Sequence, residues 1–193
     1  HGTSFEQFAK ISVKNHHHST MNPKSRYQIE TPLKEVMESE MIAYPNTKLM
    51  CSANVDGSAA AVLVSEKKAK EYGMSRAIKV KASVLTSDPY DDRNLAMPNI
   101  NTLTKNAATQ AYEMAGLGPE DLDLVELHDC FASAEMLHYG NLGLCKDEDA
   151  GRYVDEGRFE IGGIMPVNLS GGLLAKGHPT GATGGANLYE ICT

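Results

Sequence analysis

No run of apolar residues in this 193-residue sequence approaches the length of a membrane span, and no signal-peptide pattern opens it. Positive charge is scarce as well. Eighteen basic residues stand against 25 acidic ones, a net charge of −7, with no Lys/Arg cluster and no basic helix. The electrostatic footprint of a nucleic-acid binder is therefore missing. Cysteine is sparse and irregularly spaced. Cys51, Cys130, Cys145 and Cys192 form no CxxC pair, which fits free thiols in a reducing compartment better than a disulfide framework. Met is missing from the first position. The chain opens on His1, and its N-terminus reads as a cut end.

What remains is an ordinary globular α/β composition, 41% hydrophobic with 17 glycines, in a chain long enough for one sizeable core or two small ones. Residues 4–15 read as a helix. Ser4 and Gln7 have capping-box spacing, and Phe5, Phe8, Ala9 and Ile11 make an apolar face. Residues 15–31 are polar and read as loop. Thr31 and Pro32 open a short helix with Leu33, Val36 and Met37 inward. A turn is expected at Asp56-Gly57, then a short buried strand over 59–64 and a solvated Lys-rich helix over 66–72 closed by Gly73.

Residues 77–84 alternate apolar and polar side chains as a half-buried strand does. A helix from Asn101, carrying Leu103, Ala107, Ala111 and Met114 on one side, closes at Gly116. The segment DLVEL reads as a strand running into His128, and Ala132, Met136 and Tyr139 mark a helix after it. Residues 146–163 read as an acidic loop, 167–169 as a third short strand, and a helix is expected from about Pro179. Strand and helix alternate from residue 76 onward, which predicts a layered α/β fold. The last helix has no following strand, so the fold is expected to continue past Thr193.

Two loops carry chemistry. One is HDCF, from His128 to Phe131. The other is KGHPTGATGG, from Lys176 to Gly185. Each falls where a strand ends and a helix begins, the place where α/β proteins present side chains and backbone N–H groups to ligands. The glycines near His178, including Gly171, Gly172 and Gly177, let a backbone or a ligand approach closely. Pro179 places His178 at a helix N-terminus, where a neutral imidazole is favoured. Such an imidazole takes a proton from a thiol or donates to an oxyanion. Cys130 at a helix N-terminus is expected to have a depressed pKa, and Asp129 to cap that helix.

Several other sites fail on spacing. Gly172-x-x-x-x-Gly177 is followed by His178 and Pro179 instead of Lys and Ser/Thr, so it is not a phosphate loop, and no GxGxxG follows a strand. A zinc site from His128, Cys130, Cys145 and His178 lacks CxxC or HxxxH spacing. His16, His17 and His18 are adjacent and cannot all face one metal, so a solvated loop is the expectation.

HDCF and GHPTGATG, with CSANVDGSAAA and NHHHSTMNP upstream, resemble the sterol-carrier-protein type of thiolase over essentially the whole chain. Ordinary thiolases have an Asn-Glu-Ala-Phe loop in place of HDCF. The resemblance implies a thiolase-like layered α/β fold with a mixed sheet, here incomplete. Residues 1–75 would hold part of the loop region and the last strand of the N-terminal half. Residues 76–193 would form the C-terminal half without its final strands. It also implies Claisen chemistry on coenzyme A thioesters, with coenzyme A as substrate and no covalently bound cofactor or metal.

By carry-over, His178 would activate the nucleophile and help form an oxyanion hole, Cys130 would move the α-proton, and His128 would donate a hydrogen bond. Ser52 and Gly172 would lie near coenzyme A. The nucleophilic cysteine is expected outside this chain. The implied partners are acyl-CoA and a homo-oligomer, dimer or tetramer, or a complementing chain. The implied location is the cytoplasm, or the peroxisome in a eukaryote. The competing readings are a thiolase-like retro-aldolase or acyltransferase subunit, a non-catalytic fragment that assembles with a nucleophile-bearing chain, and, more remotely, a Cys–His hydrolase.

Overall fold

Ser4 caps the first helix as its spacing requires. Its hydroxyl accepts the Gln7 N–H at 3.2 Å, and the Gln7 side chain accepts the Ser4 N–H at 2.9 Å. The computed structural model describes residues 2–87 and 101–193. In chain order these form α1 (Phe5–Ser19), α2 (Leu33–Glu38), β1 (Met41–Ala43), β2 (Asn46–Thr47), α3 (Glu66–Glu71), α4 (Asn101–Ala115), α5 (Ala132–Asn141), α6 (Ala150–Asp155), α7 (Gly172–Ala175) and α8 (Thr183–Cys192). Three single 3₁₀ turns lie at Lys48–Met50, Pro119–Asp121 and Asp147–Asp149.

Helix α1 is the centre of the molecule. It packs against α2, α5, α6 and α7. Its Ala9 and Ile11 enter a core with Val36, Met50, Leu127, Ala132, Met136, Tyr139 and Val167. It also runs four residues past its expected end. Residues 16–18 are helical, and His16 and His18 are buried instead of solvated. The polarity of the triplet predicts a loop. His18 finds its partners inside the protein, in the Asn168 carbonyl and the Ile161 N–H, whereas the ring nitrogens of His16 have none among the described residues. Only His17 is exposed, where it meets Glu30 at 2.7 Å.

Helices α2, α3, α5 and α4 form where expected. Ser65 caps α3, whose residues are all outside the core, and Gly73 and Gly116 follow α3 and α4 at φ +64° and +67°. Three details differ. Pro32, not Thr31, precedes α2 as its cap residue and supplies no side-chain cap. Helix α4 turns Ala108 inward and leaves Met114 60% exposed. The acidic stretch 146–163 contains α6, whose Ala150 and Val154 reach the core.

The strands depart most from expectation. Val125 and Val167 pair in parallel as a single bridge, with the Val125 N–H on the Pro166 carbonyl at 3.0 Å and the Asn168 N–H on the Val125 carbonyl at 2.8 Å. The segments expected as strands at 59–64 and 77–84 have extended sequence patterns but no hydrogen-bonding neighbour among the described residues. Val62, Leu63, Ile78, Val80 and Leu85 are exposed. A strand exists only against a partner, so alternation alone did not make one here. Nor is Asp56-Gly57 a turn. Gly57 instead lies against Pro179, 3.1 Å from where a Cβ would sit. The fold is thus α/β with thin strand pairing, and among the described residues β1 and β2 form a two-stranded ribbon.

Candidate active site

The parallel pairing of Val125 with Val167 sends two chain segments off the same end, one into HDCF and the other toward the Gly-rich loop. Residues 51–54 then lace the two loops together. Cys51 pairs with Phe131, and the Ser52 N–H donates to the Cys130 carbonyl at 3.0 Å. The Ala53 N–H donates to Leu173 at 3.1 Å, and the His178 N–H donates to Ala53 at 2.7 Å. The result brings the two catalytic histidine candidates together. The rings of His128 and His178 meet edge to face, with centroids 4.9 Å apart and planes at 87°.

His178 is not at a helix N-terminus, because α8 begins five residues later at Thr183. Its orientation comes from that helix all the same. His178 Nδ1 lies 2.7 Å from Thr183 Oγ1. The Thr183 hydroxyl donates its one proton to the Pro179 carbonyl at 3.2 Å, so Nδ1 is the donor toward Thr183. The Nε2 lone pair is then left for a proton from elsewhere. Burial, with His178 beside it, holds the His128 imidazole below its ordinary pKa, and His128 is neutral at pH 7.

Cys130 is half-buried and joined to the site through its backbone. Among the described residues no hydrogen bond links its Sγ to either imidazole. Its thiol is pushed up, first by burial and then by Asp129, with backbone N–H groups opposing. The expected depression by a helix terminus is therefore overturned: desolvation of the thiolate outweighs the dipole. Asp129 does not cap α5 either. It is fully buried, and its carboxylate accepts the N–H of Leu173 at 2.7 Å and of Leu174 at 3.4 Å, capping α7.

Gly172 makes that reach possible. It is buried at φ +60°, and a Cβ there would stand 2.2 Å from Asp129 Oδ2. Its missing side chain is what admits the Asp129 carboxyl group. Ser52, in contrast, lines an open groove of about 460 Å³ with His16, Tyr27, Leu49 and Phe131.

Beneath the loops lies a buried polar cluster that sequence reasoning missed. Lys14 Nζ pairs with Glu135 at 2.6 Å and donates to the Val167 carbonyl at 2.7 Å. Asn15 Nδ2 donates to Asp129 at 2.8 Å and to Glu135 at 2.7 Å, and Asn168 Nδ2 donates to Glu135 at 2.8 Å. Tyr139 completes the set with a bond to Glu135. Burial pushes the Glu135 carboxyl upward, but the Lys14 ammonium and the donors around it hold it below the usual range. Burial and then Glu135 push Asp129 well above that range. The two buried carboxyls are thus pushed in opposite directions. Extending the α1 period past residue 13 would have flagged Lys14 and Asn15 as inward-facing. Asn168, held in the left-handed region at φ +56°, carried no signal in sequence.

A fold of this kind, with a Cys–His loop and a Gly-His-Pro loop closing on one corner, is that of thiolases and their relatives. It matches solved structures of that class. One is the Ltp2-ChsH2(DUF35) aldolase, at a TM-score of 0.77 and 24% identity over 96% of this chain and 49% of that one. Another is human mitochondrial 3-ketoacyl-CoA thiolase, at a TM-score of 0.53 and 18% identity over 98% of this chain and 48% of that one.

The family model for the thiolase C-terminal domain-like group matches residues 92–193, just over half of the sequence. The chain belongs to the thiolase family. It is 44% identical to sterol carrier protein 2 of Oryctolagus cuniculus over 100% of this chain and 36% of that protein. It is 40% identical to acetyl-CoA acetyltransferase of Methanothermobacter thermautotrophicus, over 99% of this chain and 50% of that protein. It is 39% identical to the benzoylsuccinyl-CoA thiolase subunit BbsB of Thauera aromatica, over 97% of this chain and 48% of that protein. The chain thus spans between about a third and a half of the curated relatives it matches. No helix among the described residues is long and apolar enough to cross a membrane.

Proposed function

We propose that this chain supplies the acid–base half of a thiolase site that cleaves 3-ketoacyl-CoA, or runs the reverse condensation, with coenzyme A as substrate. The observation that carries the reading is the edge-to-face meeting of His128 and His178 on two loops laced to Cys130 by residues 51–54. His178 Nε2 takes the proton of a nucleophilic thiol, which lies outside the 193 residues. The thiolate adds to the 3-keto carbon, and the oxyanion that forms is met by imidazole N–H groups. The bond between C2 and C3 breaks, and Cys130 gives its proton to the enolate of the leaving acetyl-CoA. The Cys130 thiolate then deprotonates incoming coenzyme A, whose sulfur attacks the acyl-enzyme and frees the nucleophile. A thiol pushed upward by burial suits the first of these steps, since it arrives protonated.

Residues 1–75 serve in this reading as loop region and last strand of an N-terminal half, and 76–193 as the C-terminal half, of which 88–100 lie outside the described residues. The unpaired, exposed 59–64 and 77–84 segments support it, since strands of this pattern belong in a sheet. A homo-oligomer or a complementing chain in the cytoplasm or peroxisome is the setting proposed. The aldolase likeness keeps a second reading in view, retro-aldol cleavage beside a partner subunit, which would use the same acid–base groups.

The test is Cys130→Ala in the longest native polypeptide carrying this sequence, read by thiolysis of acetoacetyl-CoA. The expected loss is at least about 100-fold. Turnover near the original rate would remove Cys130 from the chemistry. Intact mass after incubation of the 193-residue chain with acetyl-CoA gives the complement. A stable acetyl adduct on one of its own cysteines would refute the external nucleophile.

A further inference from the structure

Each histidine of the site is preceded, two residues upstream, by a buried charged side chain. Glu126 stands before His128 and Lys176 before His178. The two side chains are 2% and 7% exposed, and Lys176 Nζ lies 3.9 Å from Glu126 Oε2. Each is also tied down on its own account. Glu126 grips the far loop with both oxygens: Oε1 accepts the Ser170 N–H at 2.8 Å, and Oε2 accepts the Ser170 hydroxyl at 2.7 Å. Lys176 Nζ donates to Asn187 Oδ1 on α8 at 3.0 Å. The pair thus links the HDCF segment, the Gly-rich loop and α8 at one point.

There is little slack between this point and the two rings. Leu127, the one residue between Glu126 and His128, is buried in the core, and its N–H donates to Asn168 Oδ1 at 2.9 Å. Gly177, the one residue between Lys176 and His178, sits at φ +117° and packs so closely on Val55 that a Cβ would stand 2.8 Å from Val55 Cγ2. The Lys176 carbonyl accepts the Arg26 N–H at 2.9 Å, and the His178 N–H is held by Ala53. A shift of the backbone at either charged residue is therefore passed to the imidazole two residues on. Burial pushes the Glu126 carboxyl upward, with Ser170 and Lys176 opposing, so its charged form depends on these partners. A buried ion pair adds little net stability over an apolar pair of the same volume. What it adds is direction, because a charge in a dry interior tolerates few other arrangements.

We propose that Glu126 and Lys176 are positioning residues, a buried pair that sets the register of the two loops and so keeps the His128 and His178 rings edge to face. On the thiolase reading above, on which the catalytic consequence rests, the pair acts on turnover through His178.

The test is the double variant Glu126→Gln with Lys176→Met in the longest native polypeptide carrying this sequence. It removes both charges at once, keeps an acceptor for Ser170 and strands no buried ion, so it should melt close to the original. Thiolysis of acetoacetyl-CoA should show kcat lower by about tenfold or more with KM within about twofold, because a misplaced base leaves binding intact and slows the chemistry. The nuclear Overhauser contact between the ring protons of His128 and His178, whose centroids are 4.9 Å apart, should weaken. Each single variant should lower kcat about as far as the double does, a coupling that two independent contacts would not give. A double variant with the original kcat or the original ring contact would overturn the proposal, and so would single losses that simply multiply. The double variant decides even where a single one fails to fold. An original polypeptide that cleaves no 3-ketoacyl-CoA would remove the thiolase reading, and the ring contact, which needs no turnover, would then decide the register by itself.

Discussion

Lys14 and Glu135 form an ion pair at 2.6 Å with side chains 4% and 0% exposed, directly below the loops that carry His128, Cys130 and His178. Two charges this deep are stable only because each is surrounded by other partners. Lys14 also donates to the Val167 carbonyl, and Glu135 also accepts from Asn15, Asn168 and Tyr139. The ion pair thus joins α1 to α5 and to the bridge that sends both loops in one direction.

Removing one partner alone should be costly. Lys14→Met leaves the Glu135 carboxylate dry and unpaired, with an expected loss of about 3–5 kcal/mol in urea unfolding. Replacing both, by Lys14→Met with Glu135→Leu, should recover part of that loss. A double variant as unstable as the sum of the singles would show that the two side chains are not coupled.

His18 gives a pH dependence. Burial, with the Lys14 ammonium second, lowers its pKa to about 4 from 6.5. The unfolded chain therefore binds a proton between those values that the folded chain refuses. The His18 contribution to stability is complete above pH 6.5 and is lost as the pH falls toward 4, for a total of roughly 3 kcal/mol. Unfolding of the original chain should lose up to about 1.4 kcal/mol per pH unit more across this window than His18→Gln does. Equal slopes would place the titration elsewhere.

Gly172 is open to the plainest steric test. Alanine there would be strained at φ +60° and would meet Asp129 Oδ2 at 2.2 Å. Gly172→Ala should cost roughly 2–5 kcal/mol, and thermal unfolding will read it. Gly184→Ala, with nothing within 4 Å of the added carbon, should leave the melting temperature nearly unchanged.

The tautomer of His178 can be read by nitrogen NMR. The contact with Thr183, whose proton goes to Pro179, predicts a protonated Nδ1 and a bare Nε2. Thr183→Val should remove that preference and mix the tautomers. A ring already protonated at Nε2 in the original chain would contradict the base role assigned to it.

Much of the site was legible before the fold. The HDCF and Gly-His-Pro motifs fall on turns because short Gly-, Asp- and Pro-rich stretches interrupt apolar segments, and that is local information. The capping box at Ser4, the stop at Gly116 and the inward Ala132, Met136 and Tyr139 of α5 were equally local. The errors came where local pattern and long-range partner disagree. Residues 59–64 and 77–84 have strand periodicity and no strand neighbour. The NHHHS stretch has loop polarity and a helical place in the core. Cys130 has a position that favours a thiolate and an environment that opposes one.

By itself the sequence determined which residue types stand at the two turns, the periods of the helices, and the kinship with thiolases that those motifs carry. Tertiary structure alone decided that Asp129 reaches across to α7, that Glu135 pairs with Lys14 in the interior, that the rings of His128 and His178 meet, and that His16 is buried with neither ring nitrogen partnered among the described residues. The division has a physical cause. Propensity, capping and turn chemistry act over a few neighbouring residues. Desolvation and hydrogen-bond satisfaction depend on what segments more than a hundred residues away bring to the same few ångströms.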